Sequence, residues 1–311
     1  MRQKVIAVVG PTAVGKTSLS VEIAKKFSGE IISGDSMQIY KGMDIGTAKV
    51  TNTEKENIPH YMIDIKEPNE SFSVADFQEQ VHHYIKEISD KKHLPIIVGG
   101  TGLYIQAALF GYNFAEKKRD DSFQIKIENE IEEKGIMSVY KRLERIDPEQ
   151  ASKIHPNNTR RVVRALEVYE RTGMTMTAYH EQQQLVSPFD PILIGLEMDR
   201  PLLYERINQR VDQMIKEGLV NEVRFFYEKG LKDSQSMKAI GYKEFIPYFE
   251  GNQSLEDSIE ILKRNSRRYA KRQYTWFRNK MDVDWYTITH EDKSEKIEII
   301  LQDLAGKLEK K

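Results

Sequence analysis

The stretch Gly10-Pro11-Thr12-Ala13-Val14-Gly15-Lys16-Thr17 sets two glycines, a lysine and a hydroxyl at the spacing G-x-x-x-x-G-K-[ST]. Such a loop wraps phosphate in backbone N–H groups. Lys16 adds a point charge to that phosphate, and Thr17 offers an oxygen able to hold Mg²⁺. A second chemical group stands at Asp35, in Gly34-Asp35-Ser36-Met37-Gln38. Its carboxylate can take a proton, although an aspartate after a strand is also commonly a turn or cap residue. Arg206 and Arg210 lie one helical turn apart, a spacing that serves phosphate oxygens or merely a surface pair. The segment 263–278, KRNSRRYAKRQYTWFR, carries Lys263, Arg264, Arg267, Arg268, Lys271, Arg272 and Arg278 with no acid. Tyr269, Tyr274, Trp276 and Phe277 lie between them, which suits an RNA backbone with unpaired bases to stack; a solvated helix with a buried aromatic face is the alternative.

These groups need a scaffold, and the flanks supply one. Val5-Ile6-Ala7-Val8-Val9 is a continuous apolar run before the loop, as expected of a strand buried on both faces of a parallel sheet. Ser18 to Phe27, with Leu19, Ile23 and Phe27 at helical spacing, follows it. Glu30-Ile31-Ile32-Ser33 is a second strand that delivers Asp35 beyond its carboxyl end, the rim where open α/β sheets bind ligands. Residues 40–49 read as a loop over that rim, and His60-Tyr61-Met62-Ile63-Asp64-Ile65 as a further strand. Ser73 starts a helix with Asp76 as a capping-box acid. Leu94-Pro95-Ile96-Ile97-Val98 is a third buried strand, ending in Gly99-Gly100-Thr101-Gly102. An ordinary phosphate-loop ATPase carries a Mg²⁺-binding aspartate there; this chain has Thr101, which weighs against hydrolysis.

Between Tyr112 and Pro191 charged segments of helical period replace the strand–helix alternation. Helices are expected around Phe123–Ile131, around Val139–Ile146 and from Asn158-Thr159 to Gly173. The last has Val162, Leu166 and Tyr169 on one side and Arg160, Arg164 and Arg171 on the other, with Arg161 at the edge and no acid counted in the stripe. Such a face contacts phosphates or is simply solvated. Ile192-Leu193-Ile194-Gly195-Leu196 resumes the sheet, and Asp199-Arg200-Pro201 opens a helix to Gly218. The fold expected is therefore α/β: a parallel sheet flanked by helices like that of phosphate-loop NTPases, from 1–111 and 192–311, with a small helical insertion at 112–191.

With 311 residues, 39% hydrophobic and 31% charged, the chain has ample material for a core. A net charge of −1 excludes a general polycation, so RNA binding must come from local patches. The absence of cysteine excludes disulfides, thiolate nucleophiles and cysteine zinc sites. The N-terminal apolar run is too short for a membrane span or signal peptide, and a cytoplasmic protein without membrane contact is expected.

The segments GPTAVGKT (10–17), SGDSMQIYKGMDIGTAK (33–49), GGTGLYI (99–105), HPNNTRRVVRALEV (155–168), AIGYKE (239–244) and AKRQYTWFR (270–278), in this order, resemble those of the tRNA dimethylallyltransferases, also called tRNA isopentenyltransferases. The resemblance implies transfer of a dimethylallyl group from dimethylallyl diphosphate to N6 of adenosine 37, beside the anticodon, by an enzyme whose inserted domain swings on tRNA binding; a monomer without membrane partners is expected. It implies Asp35 as general base, Thr101 beside the reacting adenine, and Lys16 and Arg210 on the diphosphate, with Gly10 to Thr17 as its cradle and Thr17 on Mg²⁺. It further implies tRNA contacts from Asp35, Ser36, Met37, Gln38, Thr101, Arg160, Arg161, Val162, Val163, Arg164, Arg268, Lys271 and Arg272. The physical parts agree: a phosphate loop stabilises a departing diphosphate, a base assists the poorly nucleophilic N6, and the adenine must leave its stack. The chain departs from the family's usual pattern at Val50, at Asn158 and near Gln124, so no contact is assigned to 114–126. A small-metabolite or nucleotide kinase and an RNA-binding NTPase are the competing readings; the first leaves the 263–278 segment without a purpose, and the second lacks its acid.

Overall fold

The structure, a computed structural model, describes residues 2–112, 121–183, 186–289 and 291–309. The chain divides into two compact units, Met1–Phe110 with Ser187–Lys311, and Gly111–Val186.

The first unit is built on six strands: β1 (Lys4–Val9), β2 (Gly29–Ser33), β3 (His60–Tyr61), β4 (Leu94–Gly99), β5 (Asp190–Glu197) and β6 (Asp284–Thr287). They pair in the order β3-β2-β4-β1-β5-β6, and every pair is parallel. Val5 to Val9 are fully buried because the sheet is covered on both faces. Val5, Ala7 and Val9 enter one apolar cluster while Ile6 and Val8 enter the other, the two-residue alternation of a strand. Fully burying each such Val or Ile side chain contributes about 1.5–3 kcal/mol. The strand order matters for chemistry. Because β2, β4 and β1 are neighbours, the loops at their carboxyl ends, 34–38, 99–102 and 10–17, open side by side on one rim.

Local signals account for the flanking helices. Ser73 and Asp76 close the expected capping box on Val74–Asp90, whose Phe77, Val81, Ile85 and Ile88 are buried. Leu255–Lys280, a helix capped by Ser254, buries Leu262, Ala270, Gln273 and Phe277 along one seam. Two boundaries differ from expectation. The strand expected over 60–65 stops at Tyr61, because Met62 and Asp64 take φ of 62° and 56° and so leave the extended region. The insertion, expected to run to 191, ends at Val186, since Asp190 and Pro191 already pair with Lys4 and Val5 in β5.

The second unit is helical, with Asp121–Lys134, Ile136–Ile146, Pro148–Ser152, Thr159–Thr172 and Met176–Glu181. Ile127, Val139, Leu143, Val162 and Leu166 form its core. Asp147 caps Pro148–Ser152 through the Gln150 N–H and also accepts from the Thr177 N–H and hydroxyl, fixing two short helices at one carboxylate. Asn158 caps the arginine helix, its Oδ1 accepting from the Arg161 N–H at 3.4 Å. Residues 114–120 and the side chain of Gln124 lie outside the described residues.

Candidate active site

The phosphate loop takes the conformation its glycines allow. Gly10 and Gly15 have φ of 141° and 108°, and a Cβ at Gly10 would lie 2.6 Å from the Leu196 carbonyl oxygen. No side chain caps the following helix, Lys16–Phe27, so its first-turn N–H groups stay available to an anion, on the side where the helix dipole is positive. Lys16 Nζ donates to the carbonyls of Gly10 and Pro11 at 3.0 and 2.7 Å, so the lysine lies along its own loop. Burial, reinforced by the Arg210 charge and opposed by Asp35, lowers its pKa to about 7. Arg210, on the helix Arg200–Glu217, donates to the Thr12 hydroxyl at 3.4 Å. The surface-pair alternative therefore does not describe Arg210, which stands at the loop. Thr17 is exposed at the helix start.

Asp35 follows β2. Its Oδ1 accepts the Met37 N–H at 2.8 Å, the turn geometry typical of aspartate. Burial pushes its carboxyl above the ordinary value, while the N–H groups of Met37 and Gln38 and the charges of Lys16 and Arg210 act the other way. Asp35, Lys16 and Arg210 thus share one electrostatic environment. From β4, Thr101 Oγ1 accepts the Ser36 N–H at 3.2 Å, which ties the two loops together beside the carboxylate.

Gln38 is committed within the protein. Its Oε1 accepts from the Ser33 hydroxyl at 2.8 Å, and its Nε2 donates to the carbonyls of Thr47 and Ala48, each at 3.3 Å. The loop that supplies those carbonyls is held by Glu222, which accepts the N–H groups of Asp44, Ile45 and Gly46 and the Tyr242 hydroxyl. Gly46 must lack a side chain there, because its Cβ would lie 2.4 Å from the Tyr242 ring. The AIGYKE segment therefore anchors the 44–48 loop.

The basic helix contributes more to this rim than cations. Gln273 Oε1 accepts the Thr12 N–H and its Nε2 donates to the Gly100 carbonyl, both at 3.0 Å. Tyr269 stands one turn earlier on the same helix; burial and the nearby Asp35 raise its pKa to about 12. The spacing offers Tyr269 only as a stacking aromatic and gives Gln273 no role, although a glutamine in the buried seam of a helix is a readable signal. The aromatic residues do not form a row for stacking bases. Phe277 is fully buried, Trp276 packs on Gly102, and the Tyr274 hydroxyl accepts the Met198 N–H. The absence of acids in the segment is compensated from elsewhere: Lys263 pairs with Asp212 and Glu260, and Arg278 with Glu197. Arg268, Lys271 and Arg272 are exposed.

In the helical unit Arg160, Arg161 and Arg164 are exposed, whereas Val162 is fully buried and Val163 packs at the edge of that core. The Val162 side chain thus holds the helix instead of reaching a ligand. The arginine stripe does contain an acid. Glu167, only 6% exposed, accepts from Arg164 at 2.8 Å and Arg171 at 3.3 Å. It shares the 160–164–171 face and compensates part of its charge.

Among the described residues no cluster of three or more histidine, cysteine or acidic side chains suits a metal, and no helix is long and apolar enough to cross a membrane. Mg²⁺ needs no such cluster beside a phosphate, because it keeps waters and takes phosphate oxygens together with one or two protein oxygens. The exposed Thr17 at the loop's end fits that donor set.

Comparison with known proteins agrees with this geometry. Residues 38–280 match the family model described as IPP transferase. The tRNA dimethylallyltransferase of Oceanobacillus iheyensis is 60% identical, covering 100% of this chain and 99% of the relative, and that of Bacillus cytotoxicus is 56% identical over 100% and 97%. The crystal structure of the tRNA isopentenylpyrophosphate transferase of Bacillus halodurans matches with a TM-score of 0.76 at 50% identity, covering 99% of this chain and 97% of that one. A eukaryotic dimethylallyltransferase acting on tRNA matches with a TM-score of 0.84 at 32% identity, over 98% and 80%. The phosphate loop, the Asp35 and Thr101 loops beside it, and likeness along the whole chain converge: the chain belongs to the IPP transferase family.

Proposed function

We propose that the protein transfers the dimethylallyl group of dimethylallyl diphosphate to the exocyclic N6 of the adenosine beside the anticodon, position 37, releasing diphosphate. Transfer of a dimethylallyl group to tRNA is the activity of its family; the donor, the acceptor atom and the residue roles are the reading advanced from the site. The observation that carries it is that Asp35, on the turn after β2, shares one rim with a phosphate loop along which Lys16 lies and on which Arg210 bonds Thr12, each charge acting on the others. A carboxylate beside a phosphate loop matches a reaction with an anionic leaving group on one side and an N–H nucleophile on the other.

The loop N–H groups, Lys16 and Arg210 take the negative charge that grows on the diphosphate as the allylic C–O bond breaks. Asp35, held by the Met37 N–H, accepts the proton from N6 as nitrogen bonds to carbon. Thr101 lies beside Ser36 to meet the flipped adenine. Thr17 would hold Mg²⁺, which when bound supplies further neutralisation of the diphosphate. Arg160, Arg161 and Arg164 in the helical unit, and Arg268, Lys271 and Arg272 on the basic helix, supply exposed cations for tRNA phosphates. We place the protein as a monomer in solution. The test is nucleoside analysis of tRNA after reaction. An N6-dimethylallyl adenosine at position 37 supports the reading; a modified base elsewhere, or a phosphorylated product, refutes it.

A further inference from the structure

We propose that Gln273 is a positioning residue of this site, its side-chain amide bracing the diphosphate loop against the turn that carries Thr101. The inference rests on the transfer reading above. Gln273 is 4% exposed and uses both ends of its amide: the oxygen holds the Thr12 N–H and the nitrogen holds the Gly100 carbonyl, each at 3.0 Å. These two partners belong to different loops, one after β1 and one after β4. The same bonds continue on either side. Thr12 receives Arg210 through its hydroxyl, and Thr101, next to Gly100, receives the Ser36 N–H beside Asp35. One buried amide therefore links the groups assigned to the leaving diphosphate with those assigned to the accepting base.

The glycines of the turn fit this role. A Cβ on Gly100 would lie 1.9 Å from Gln273 Nε2, and one on Gly102 2.2 Å from the Trp276 ring. The turn has given up side chains so that this face of the helix can press on it. Transfer needs the allylic carbon between its departing oxygen and the attacking nitrogen, and misplacement by about 1 Å costs up to about a hundredfold in rate. A brace between the two loops sets that separation. It touches neither substrate, so its loss acts on the chemical step and not on affinity.

The experiment compares the native full-length chain with Gln273→Met, which keeps length and removes both bonds, and Gln273→Glu, which keeps an acceptor for Thr12 only. Amide hydrogen exchange at Thr12 is read without ligand. Single-turnover rate and the Kd values for dimethylallyl diphosphate and tRNA are read beside it. Expected are Thr12 exchange at least about tenfold faster in Gln273→Met and near native in Gln273→Glu, with the single-turnover rate down at least about tenfold in both and each Kd within about threefold. Unchanged Thr12 exchange in Gln273→Met, an unchanged rate, or a loss found wholly in tRNA affinity overturns the proposal. Should Gln273→Met not fold, the rate and Kd values of Gln273→Glu decide it. If the native chain transfers nothing, the transfer reading fails, while the exchange experiment still reports on the brace.

Discussion

Donor binding is expected to weaken as pH rises through neutrality, because Lys16 holds its proton poorly in the free protein. Burial and the Arg210 charge bring its pKa to about 7, from an ordinary 10.5. An anionic diphosphate in the loop holds the lysine charged, so binding takes up a proton wherever the free lysine has lost it. The charged fraction falls from about nine-tenths at pH 6 to about one-tenth at pH 8, a factor of about ten in affinity. Titration calorimetry with dimethylallyl diphosphate at pH 6, 7 and 8 reads this directly. Dividing the native affinity by that of Lys16→Met removes the ligand's own titration. The ratio should fall about tenfold over that range, with nearly one proton taken up at pH 8 in buffers of different ionisation heat. A ratio that stays constant refutes the assignment of Lys16 to the phosphate. The same shift has a stability consequence of defined sign. Between about pH 7 and 10.5 the unfolded chain binds more protons at this lysine than the folded chain, so this group alone makes stability rise with pH across that window.

Asp35→Asn should lower the single-turnover rate by about 10²–10⁴-fold while tRNA affinity, read by filter binding, stays within about threefold; near-native turnover would remove Asp35 from the role of base. Arg160→Ala with Arg164→Ala should weaken tRNA binding and reduce the slope of log affinity against log salt by about 1–2, and an unchanged slope would assign both to solvent. Gly100→Ala should destabilise the protein by about 1–3 kcal/mol in thermal melts and slow transfer, since its Cβ would displace the Gln273 amide; a native melt contradicts the packing described. Glu222→Gln should raise hydrogen exchange over residues 44–46, where the carboxylate holds three N–H groups, with little change in global stability.

The parallel sheet was legible because buried strands such as Val5–Val9 read as unbroken apolar runs, and each ended in a loop whose residue types pointed to a ligand. The phosphate loop and the helix ends at Ser73 and Gly173 are local features, set by backbone geometry over a few residues, and the structure has them where they were expected. Tertiary pairings were harder to read. On the arginine helix Glu167 is legible by spacing, three residues after Arg164 and four before Arg171 on the same face, but its burial and its pairing with both arginines are not. The cationic segment at 263–278 read as a stacking surface because its counter-charges, Asp212 and Glu197, are distant in the chain. Gln273 carries no mark in the sequence for the same reason, since its partners Thr12 and Gly100 come from two other loops. The glycines of Gly99-Gly100-Thr101-Gly102 were visible as a motif, but the reason for two of them lies on the helix that presses against them.

The most direct measurement is the mass of an unmodified tRNA after incubation with the native protein, dimethylallyl diphosphate and Mg²⁺, set beside a parallel reaction in which ATP replaces the donor. The account predicts a gain of one dimethylallyl group on adenosine 37, with diphosphate released in equal amount and no transfer from ATP. An unchanged tRNA together with phosphoryl transfer from ATP would contradict it.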